Sequence, residues 1–114
     1  MNRAITAAVF GKSGMLYTGG SDTVIRMWDG NTGELMGKLA AHQQRINALA
    51  VWDDYLVSVG ADKRVIVWDI RENFEVVGKY ECDEECTSVA VDEAYLVCGY
   101  TSGAIRVWPM VKRH

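Results

Sequence analysis

The sequence predicts an all-β protein built from three similar units, and three observations support that prediction. Tryptophan recurs at a constant interval of 40 residues, at Trp28, Trp68 and Trp108. The residues before each of these tryptophans align without a gap, and such self-similarity is typical of repeat architectures. Short runs of β-branched and aromatic residues alternate with Gly, Asn, Asp and Ser, as in strands joined by tight turns.

Four strands are expected in the first unit. The connections between them are brief and rich in Gly, Asn, Ser and Asp, so neighbouring strands should pair antiparallel as hairpins. The predicted strands are Ile5 to Phe10, Met15 to Gly19, Val24 to Trp28 and Glu34 to Leu39.

The second unit repeats this order, and the third ends after three strands. The segment from Val65 to Trp68 is apolar at successive positions, which requires cover on both faces of its sheet. We therefore expect the sheets to stack on one another. The predicted strands are Ile46 to Val51, Tyr55 to Val59, Arg64 to Trp68 and Phe74 to Tyr80 in the second unit, and Thr87 to Val91, Tyr95 to Gly99 and Ala104 to Trp108 in the third.

The three aligned segments read LYTGGSDTVIRMWD, LVSVGADKRVIVWD and LVCGYTSGAIRVWP. These segments, the pairs Trp28-Asp29 and Trp68-Asp69, and the 40-residue period resemble the WD40 repeat family. The resemblance implies a WD40 β-propeller, in which four-stranded blades pack radially around a central channel. Residues 1–114 are then a partial propeller, with blade 1 at about 4–41, blade 2 at about 42–81 and an incomplete blade 3 at about 82–114.

The resemblance also implies a buried structural network in each complete blade, formed by a His, a Ser or Thr, an Asp and the Trp. In blade 2 these residues are His42, Ser58, Asp62 and Trp68. Blade 1 has the matching Thr18, Asp22 and Trp28 without an upstream His. Blade 3 keeps Trp108, with Cys98 and Ser102 at network positions and Cys82 or Asp83 at the His position. Because buried polar groups stabilise only when all are satisfied, we expect blade 3 to be the least rigid.

The same three residues of blade 2, His42, Ser58 and Asp62, also suggest the triad of a serine hydrolase. A nucleophile needs exposure and an oxyanion hole, and the chain has no Gly-x-Ser-x-Gly elbow. The sequence therefore favours the structural network, and we expect neither catalytic residues nor an enzyme.

The resemblance implies that the loops entering each blade and the turns between its second and third strands line one face, where partners dock. A basic stretch beside an acidic one on that face could bind a charged peptide, or these charges could be ordinary solvated loop charges. The predicted function is a protein-interaction scaffold, as a substrate-recruiting or assembly module, with a purely structural segment of a large complex as the alternative. The candidate partner-binding residues are Ser21, Gln44, Arg45, Asn47, Lys63, Arg64, Asp83, Glu84, Glu85 and Thr101.

Composition excludes several other classes. A net charge of -3 provides no positive surface for nucleic acid, and no apolar stretch reaches the roughly 18 to 20 residues that span a bilayer. The three cysteines suit a reducing intracellular setting, most simply the cytoplasm. Cys82 and Cys86 have a C-x-x-x-C spacing, but structural zinc needs four ligands, and the only further candidates are Cys98 and a distant His. We therefore expect no metal and no cofactor.

The predicted strands are too few for a closed ring, because a propeller needs about four to eight blades. The outer flanks of blades 1 and 3 would expose apolar surface and unpaired strand edges, which favour association. Three arrangements can cover them: the rest of a longer propeller, a second copy of the chain in an oligomer-completed ring, or a different chain.

Overall fold

The structure, a computed structural model, describes residues 4–71 and 74–110. The last four residues of the predicted third blade therefore lie outside the described part of the chain. The first antiparallel sheet has the order β1-β2-β3-β4. Its strands are β1 (Ile5–Phe10), β2 (Met15–Gly20), β3 (Val24–Asp29) and β4 (Leu35–Ala40).

The second sheet repeats this meander, and the third contains three strands within the described residues. In these ranges there is no α-helix, and hence none that could cross a membrane. The all-β prediction is confirmed. The strands are β5 (Ile46–Trp52), β6 (Tyr55–Gly60), β7 (Arg64–Asp69), β8 (Glu75–Glu81), β9 (Cys86–Val91), β10 (Tyr95–Tyr100) and β11 (Ile105–Pro109).

Irregularities in strand pairing recur at equivalent places. The pairing of the innermost strand shifts between Ile5 and Ala7 in the first sheet and between Ile46 and Ala48 in the second. The third strands, β3 and β7, shift immediately before the tryptophan of the repeat. Because a bulge bends its strand and increases the local twist, these shifts give the first two sheets the same shape.

The second sheet is covered on both faces, as its apolar sequence requires. Ile66 packs against the first sheet in a core that also contains Ile25 and Met27. Val65 and Val67 point the other way, into a core shared with the third sheet. All three residues of β7 are almost completely buried, with at most 2% of their surface exposed. Stacking on both sides makes this sheet the centre of the molecule.

The outward face of the third sheet is uncovered in the described structure. Tyr95, Ile105 and Val107 are exposed to 55%, 66% and 49%, whereas the residues 40 positions earlier are buried beneath the third sheet. The first sheet differs, because its outward face carries Arg26 at the position that Ile66 occupies in the second sheet. The two outer faces therefore differ in polarity.

Candidate functional site: the buried network and the loop face

The second sheet holds a continuous chain of side-chain hydrogen bonds. The Nε1 of Trp68 donates to the Oγ of Ser58 over 3.2 Å, and this Oγ lies 2.9 Å from the Nε2 of His42. The Nδ1 of His42 lies 2.9 Å from the nearer carboxylate oxygen of Asp62. The structure thus brings together the four residues that were assigned to a network in blade 2.

The partners of His42 determine where its proton resides. Ser58 accepts the indole N–H and needs an acceptor for its own hydroxyl hydrogen, so the Nε2 of His42 is unprotonated. The proton lies on Nδ1 and is donated to Asp62. Burial lowers the pKa of His42 below its ordinary value, although the carboxylate acts in the opposite direction. The imidazole is therefore neutral at pH 7.

Asp62 connects this network to two surface segments. Its carboxylate accepts the backbone N–H of Gln43 at 3.0 Å and that of Arg64 at 3.2 Å, in addition to the imidazole. The side chain is only 4% exposed, and these donors replace the water that it loses on burial. One carboxylate thus fixes the loop that enters the second sheet and the turn between β6 and β7.

The first sheet contains part of the same arrangement. The Nε1 of Trp28 donates to the Oγ1 of Thr18 over 2.9 Å, whereas Asp22 pairs with Arg26 at 2.5 Å. A cavity of about 170 Å³ lies beside these four side chains. The equivalent space in the second sheet is filled by the ring of His42. The cavity in the first sheet is therefore lined by the residue types that surround an imidazole in the second.

Sulfur replaces the polar groups in the third sheet. Cys82 and Cys98 lie 40 residues after His42 and Ser58, and both are buried. Trp108 stacks on Tyr80 of the second sheet, with ring centroids 5.0 Å apart and an angle of 26° between the planes. The guanidinium of Arg106 lies 5.3 Å from the centroid of the Trp108 ring.

The hydrogen bonds of His42 match those of a serine-hydrolase triad, with Nε2 towards Ser58 and Nδ1 towards Asp62. Ser58, however, has no exposed surface, and its Oγ already accepts the indole N–H of Trp68. A substrate carbonyl would have to enter the core between the first two sheets. The arrangement can hold a blade together but gives a substrate no access to the hydroxyl.

Loops and turns at one end of the three sheets are linked by backbone hydrogen bonds. The N–H of His42 donates to the carbonyl of Thr23 over 3.2 Å, and that of Cys82 donates to Lys63 over 2.8 Å. The loops that enter the second and third sheets are therefore each attached to the turn between the second and third strands of the preceding sheet. Residues 21–23, 41–45, 47, 61–64, 82–85 and 101–103 lie together at this end of the sheets and are called the loop face below.

Several residues of the loop face connect neighbouring sheets. Arg45 and Asn47 both reach Glu85, over 2.6 Å and 2.9 Å, and Asn47 also donates to the carbonyl of Cys86 over 2.7 Å. Glu84 accepts the hydroxyl of Ser102 at 3.0 Å. In the predicted basic and acidic stretches, Arg45 and Glu85 therefore neutralise each other at the boundary between the second and third sheets.

Other loop-face candidates project into solvent. Gln44, Asp83 and Thr101 are exposed, and Ser21 is exposed while accepting the N–H of Ala4. Lys63 is exposed and forms no ion pair within the described residues. Its φ of 66° is in the left-handed region, which fixes the direction of the turn.

Arg64, the remaining loop-face candidate, lies beside Lys63 and is half-buried. Its Nε is 3.8 Å from a carboxylate oxygen of Glu81, which is at the end of β8. This cation is therefore directed to the outer strand of its own sheet. It contributes less to the open part of the loop face than Lys63 does.

Sequence reasoning missed one connection between sheets. Thr6 donates its hydroxyl to the carbonyl of Ile46, just as Asn47 donates its amide to Cys86. Both donors are second in an innermost strand, and both acceptors are first in the next. In the sequence, ITAAVF of β1 aligns with INALAV of β5 and puts Thr6 and Asn47 at the same position, but only the structure shows which carbonyl each side chain reaches.

Comparison with known proteins agrees with this geometry. Residues 2–29 and 33–69 match the family model described as "WD domain, G-beta repeat". The two matches cover more than half of the chain. The chain belongs to the WD40 repeat family. Proteins of this family are generally non-enzymatic scaffolds for protein interaction. The third WD40 blade, in which cysteines replace the network, lies beyond the matched residues.

Three WD40 relatives illustrate the range of similar proteins. Cilia- and flagella-associated protein 52 of Sus scrofa is 32% identical over 93% of this chain and 20% of its own length. Anaphase-promoting complex subunit cdh1 of Dictyostelium discoideum is 32% identical over 74% of this chain and 10% of its own length. Pre-mRNA-splicing factor cwf17 of Schizosaccharomyces pombe is 30% identical over 90% of this chain and 31% of its own length. The chain thus spans no more than a third of these relatives.

Proposed function

We propose that this chain is part of a non-catalytic scaffold that binds a protein or peptide through its loop face. Lys63 supports this proposal most strongly, because it is an exposed cation in the middle of the loop face and forms no ion pair among the described residues. The turn that holds Lys63 is attached to the rigid network through Asp62. A polar contact on a fixed support suits the recognition of a specific partner.

The chemistry of the loop face favours a polypeptide ligand over a nucleic acid. Lys63 and the exposed Asp83 lie on segments joined by the hydrogen bond from Cys82 to Lys63. An acidic and a basic group side by side can orient a peptide that carries both signs, whereas phosphates need several cations together. The names of the relatives include a complex subunit and a splicing factor, which supports an assembly or substrate-recruiting role. The three free cysteines support a place inside the cell, most simply in the cytoplasm.

The same scaffold requires neighbours on its outer faces, and we assign them to further blades. Thr87 has the strand position of Thr6, and its hydroxyl, like that of Thr6, donates to a carbonyl of the adjacent strand over 3.3 Å. A further blade beyond the third would present its first carbonyl to Thr87, as the second blade presents Ile46 to Thr6. On the other side, the cavity beside Thr18 would receive an imidazole from a preceding blade. These blades can belong to a longer propeller, a second copy or another chain.

A charge reversal at the centre of the loop face tests the binding proposal. The wild-type chain, Lys63→Glu and Lys79→Glu are used as baits, and captured proteins are quantified by mass spectrometry. Lys79 is an exposed lysine of β8 in the same blade but outside the loop face, so it provides the same charge change elsewhere. We expect proteins captured by wild type and Lys79→Glu to be lost from Lys63→Glu. Equal capture by all three baits would contradict the proposal.

The hydrolase alternative has a direct test. The triad-like geometry of His42 and Ser58 supports it, and the burial of Ser58 opposes it. A fluorophosphonate probe reacts with activated serines that are accessible to it. We expect no labelling of Ser58, and covalent attachment to this residue in the folded chain would establish the hydrolase instead.

A further inference from the structure

Three cysteines converge in the core between the second and third blades. Sγ of Cys86 lies 3.2 Å from Sγ of Cys82 and 3.9 Å from Sγ of Cys98. All three sulfur atoms lie within 4.8 Å of one another. Cys82 is 8% exposed and the other two cysteines are 0% exposed, so the cluster is almost completely buried. The loop 82–85 connects two of these cysteines, and β10 supplies the third.

A buried hydroxyl without a hydrogen-bond partner accompanies this cluster. Tyr100 pairs with Cys86 across β9 and β10, and Cys98 lies two residues before it on the same face of β10. The Oη of Tyr100 is buried and has no hydrogen-bond partner within the described residues. The hydroxyl therefore remains a donor that lacks an acceptor.

The separation between the sulfur atoms of Cys86 and Cys98 is close to that around a three-coordinate ion, and the separation between those of Cys86 and Cys82 is shorter. Sulfur atoms about 2.3 Å from a central ion in a trigonal plane lie about 4.0 Å apart. The pair Cys86 and Cys98 already has this separation, and Cys82 needs to move by less than 1 Å relative to Cys86, on the order of a thermal displacement. Tyr100 would then donate its hydroxyl to a sulfur that carries negative charge, as outer ligands commonly do.

The ligand set selects among metal ions. The cluster includes no fourth His, Cys, Asp or Glu ligand from the described residues, and its surroundings include Val57, Val59 and Leu96. Structural zinc takes four ligands, and calcium and magnesium require oxygen. Thiolates in an apolar environment favour soft cations such as Cu(I). All three cysteines are free thiols in the structure.

We infer that Cys82, Cys86 and Cys98 form a three-coordinate site for a soft monovalent cation of the Cu(I) type, with Tyr100 as the hydrogen-bond donor to the site. Binding forms three metal–sulfur bonds, breaks three S–H bonds and releases three protons to water, without oxidation or reduction. Arg106 faces Cys98 across β10 and β11, which places a cation beside the negative charge that results. The bound ion links the loop before β9 to β10 and stabilises the third blade.

The inference is tested by anaerobic titration of the 114-residue chain with Cu(I) in competition with a chromophoric Cu(I) chelator. We expect one equivalent to bind, three sulfur neighbours by X-ray absorption, and a higher thermal unfolding midpoint for the loaded chain. The absence of binding, or tetrahedral zinc bound in preference to Cu(I), would overturn the inference. Detection of fewer than three free thiols in the denatured, unloaded chain would replace the site with a disulfide.

The second blade supplies a matched control that preserves the fold. Cys82→His, Cys98→Ser and Ser102→Asp together install the network of His42, Ser58 and Asp62 in the third blade. We expect this triple variant to unfold cooperatively while losing Cu(I) binding at least tenfold. Cys98→Ser alone should reduce the sulfur coordination from three to two. Unchanged Cu(I) affinity in either variant would locate the ion elsewhere and refute the site.

Discussion

At the scale of single residues, the stability of the second blade depends on a carboxylate that satisfies three donors. In Asp62→Ala, the imidazole N–H and the backbone N–H groups of Gln43 and Arg64 lose their acceptor. An unsatisfied buried donor costs about 1–3 kcal/mol, so we expect a loss of roughly 3 kcal/mol in the free energy of unfolding. Urea denaturation measures this loss. Asp83→Ala removes an exposed acid from the same face, and a comparable loss in that control would refute the network's role.

The protonation state of His42 predicts how stability depends on pH. Its pKa is lowered in the folded chain by burial, whereas the unfolded chain binds a proton near the ordinary value of 6.5. Unfolding is therefore increasingly favoured as pH falls below about 6.5, and this contribution disappears above that pH. We expect the urea midpoint to decrease between pH 7.5 and 5.5, and to decrease less in His42→Gln. An equal decrease in both proteins would show that other groups are responsible.

At the scale of strands, most of the fold follows from sequence because local signals and the repeat agree. Strand ends were less predictable, since they depend on pairing: Asp69 belongs to β7 because it faces Tyr55 across the ladder. The network residues of blade 2 are spaced like the family pattern and could be assigned in advance. The three cysteines could be grouped in advance, because the repeat places Cys82 and Cys98 at the positions of His42 and Ser58. The distances between their sulfur atoms could not, because they depend on how the loop before β9 packs against β10.

The last residue of β6, Gly60, packs closely against the hydrogen-bond network of the second sheet. A Cβ on Gly60 would lie 2.9 Å from the Nδ1 of His42 and 2.9 Å from the carbonyl oxygen of Arg45, so the network would have to shift. We expect Gly60→Ala to lose about 2 kcal/mol of unfolding free energy. Gly78→Ala in the same sheet meets its neighbours at 3.4 Å or more, and differential scanning calorimetry should show little change there. Equal melting temperatures for the two variants would contradict this account of the fit.

At the scale of the whole molecule, the second blade is covered twice, and the outer faces of its neighbours are open in the described structure. Val67 and Val107 have the same place in successive repeats but are 0% and 49% exposed. We expect Val67→Ala to cost about 2 kcal/mol in the chain alone, and Val107→Ala to cost little. In an assembly where another blade covers the third, Val107→Ala should weaken association, as measured by light scattering. Similar losses for both variants in the chain alone would mean that Val107 is already covered.

Hydrogen exchange of the chain with and without a captured partner shows whether the loop face binds that partner. We expect the partner to slow amide exchange in residues 41–45, 61–63, 82–85 and 101–103, which share one end of the three sheets. The turns at the opposite end, such as Asp53-Asp54, should be unaffected and serve as an internal control. Protection confined to that opposite end, or to the open face of β10 and β11, would contradict the proposed binding through the loop face.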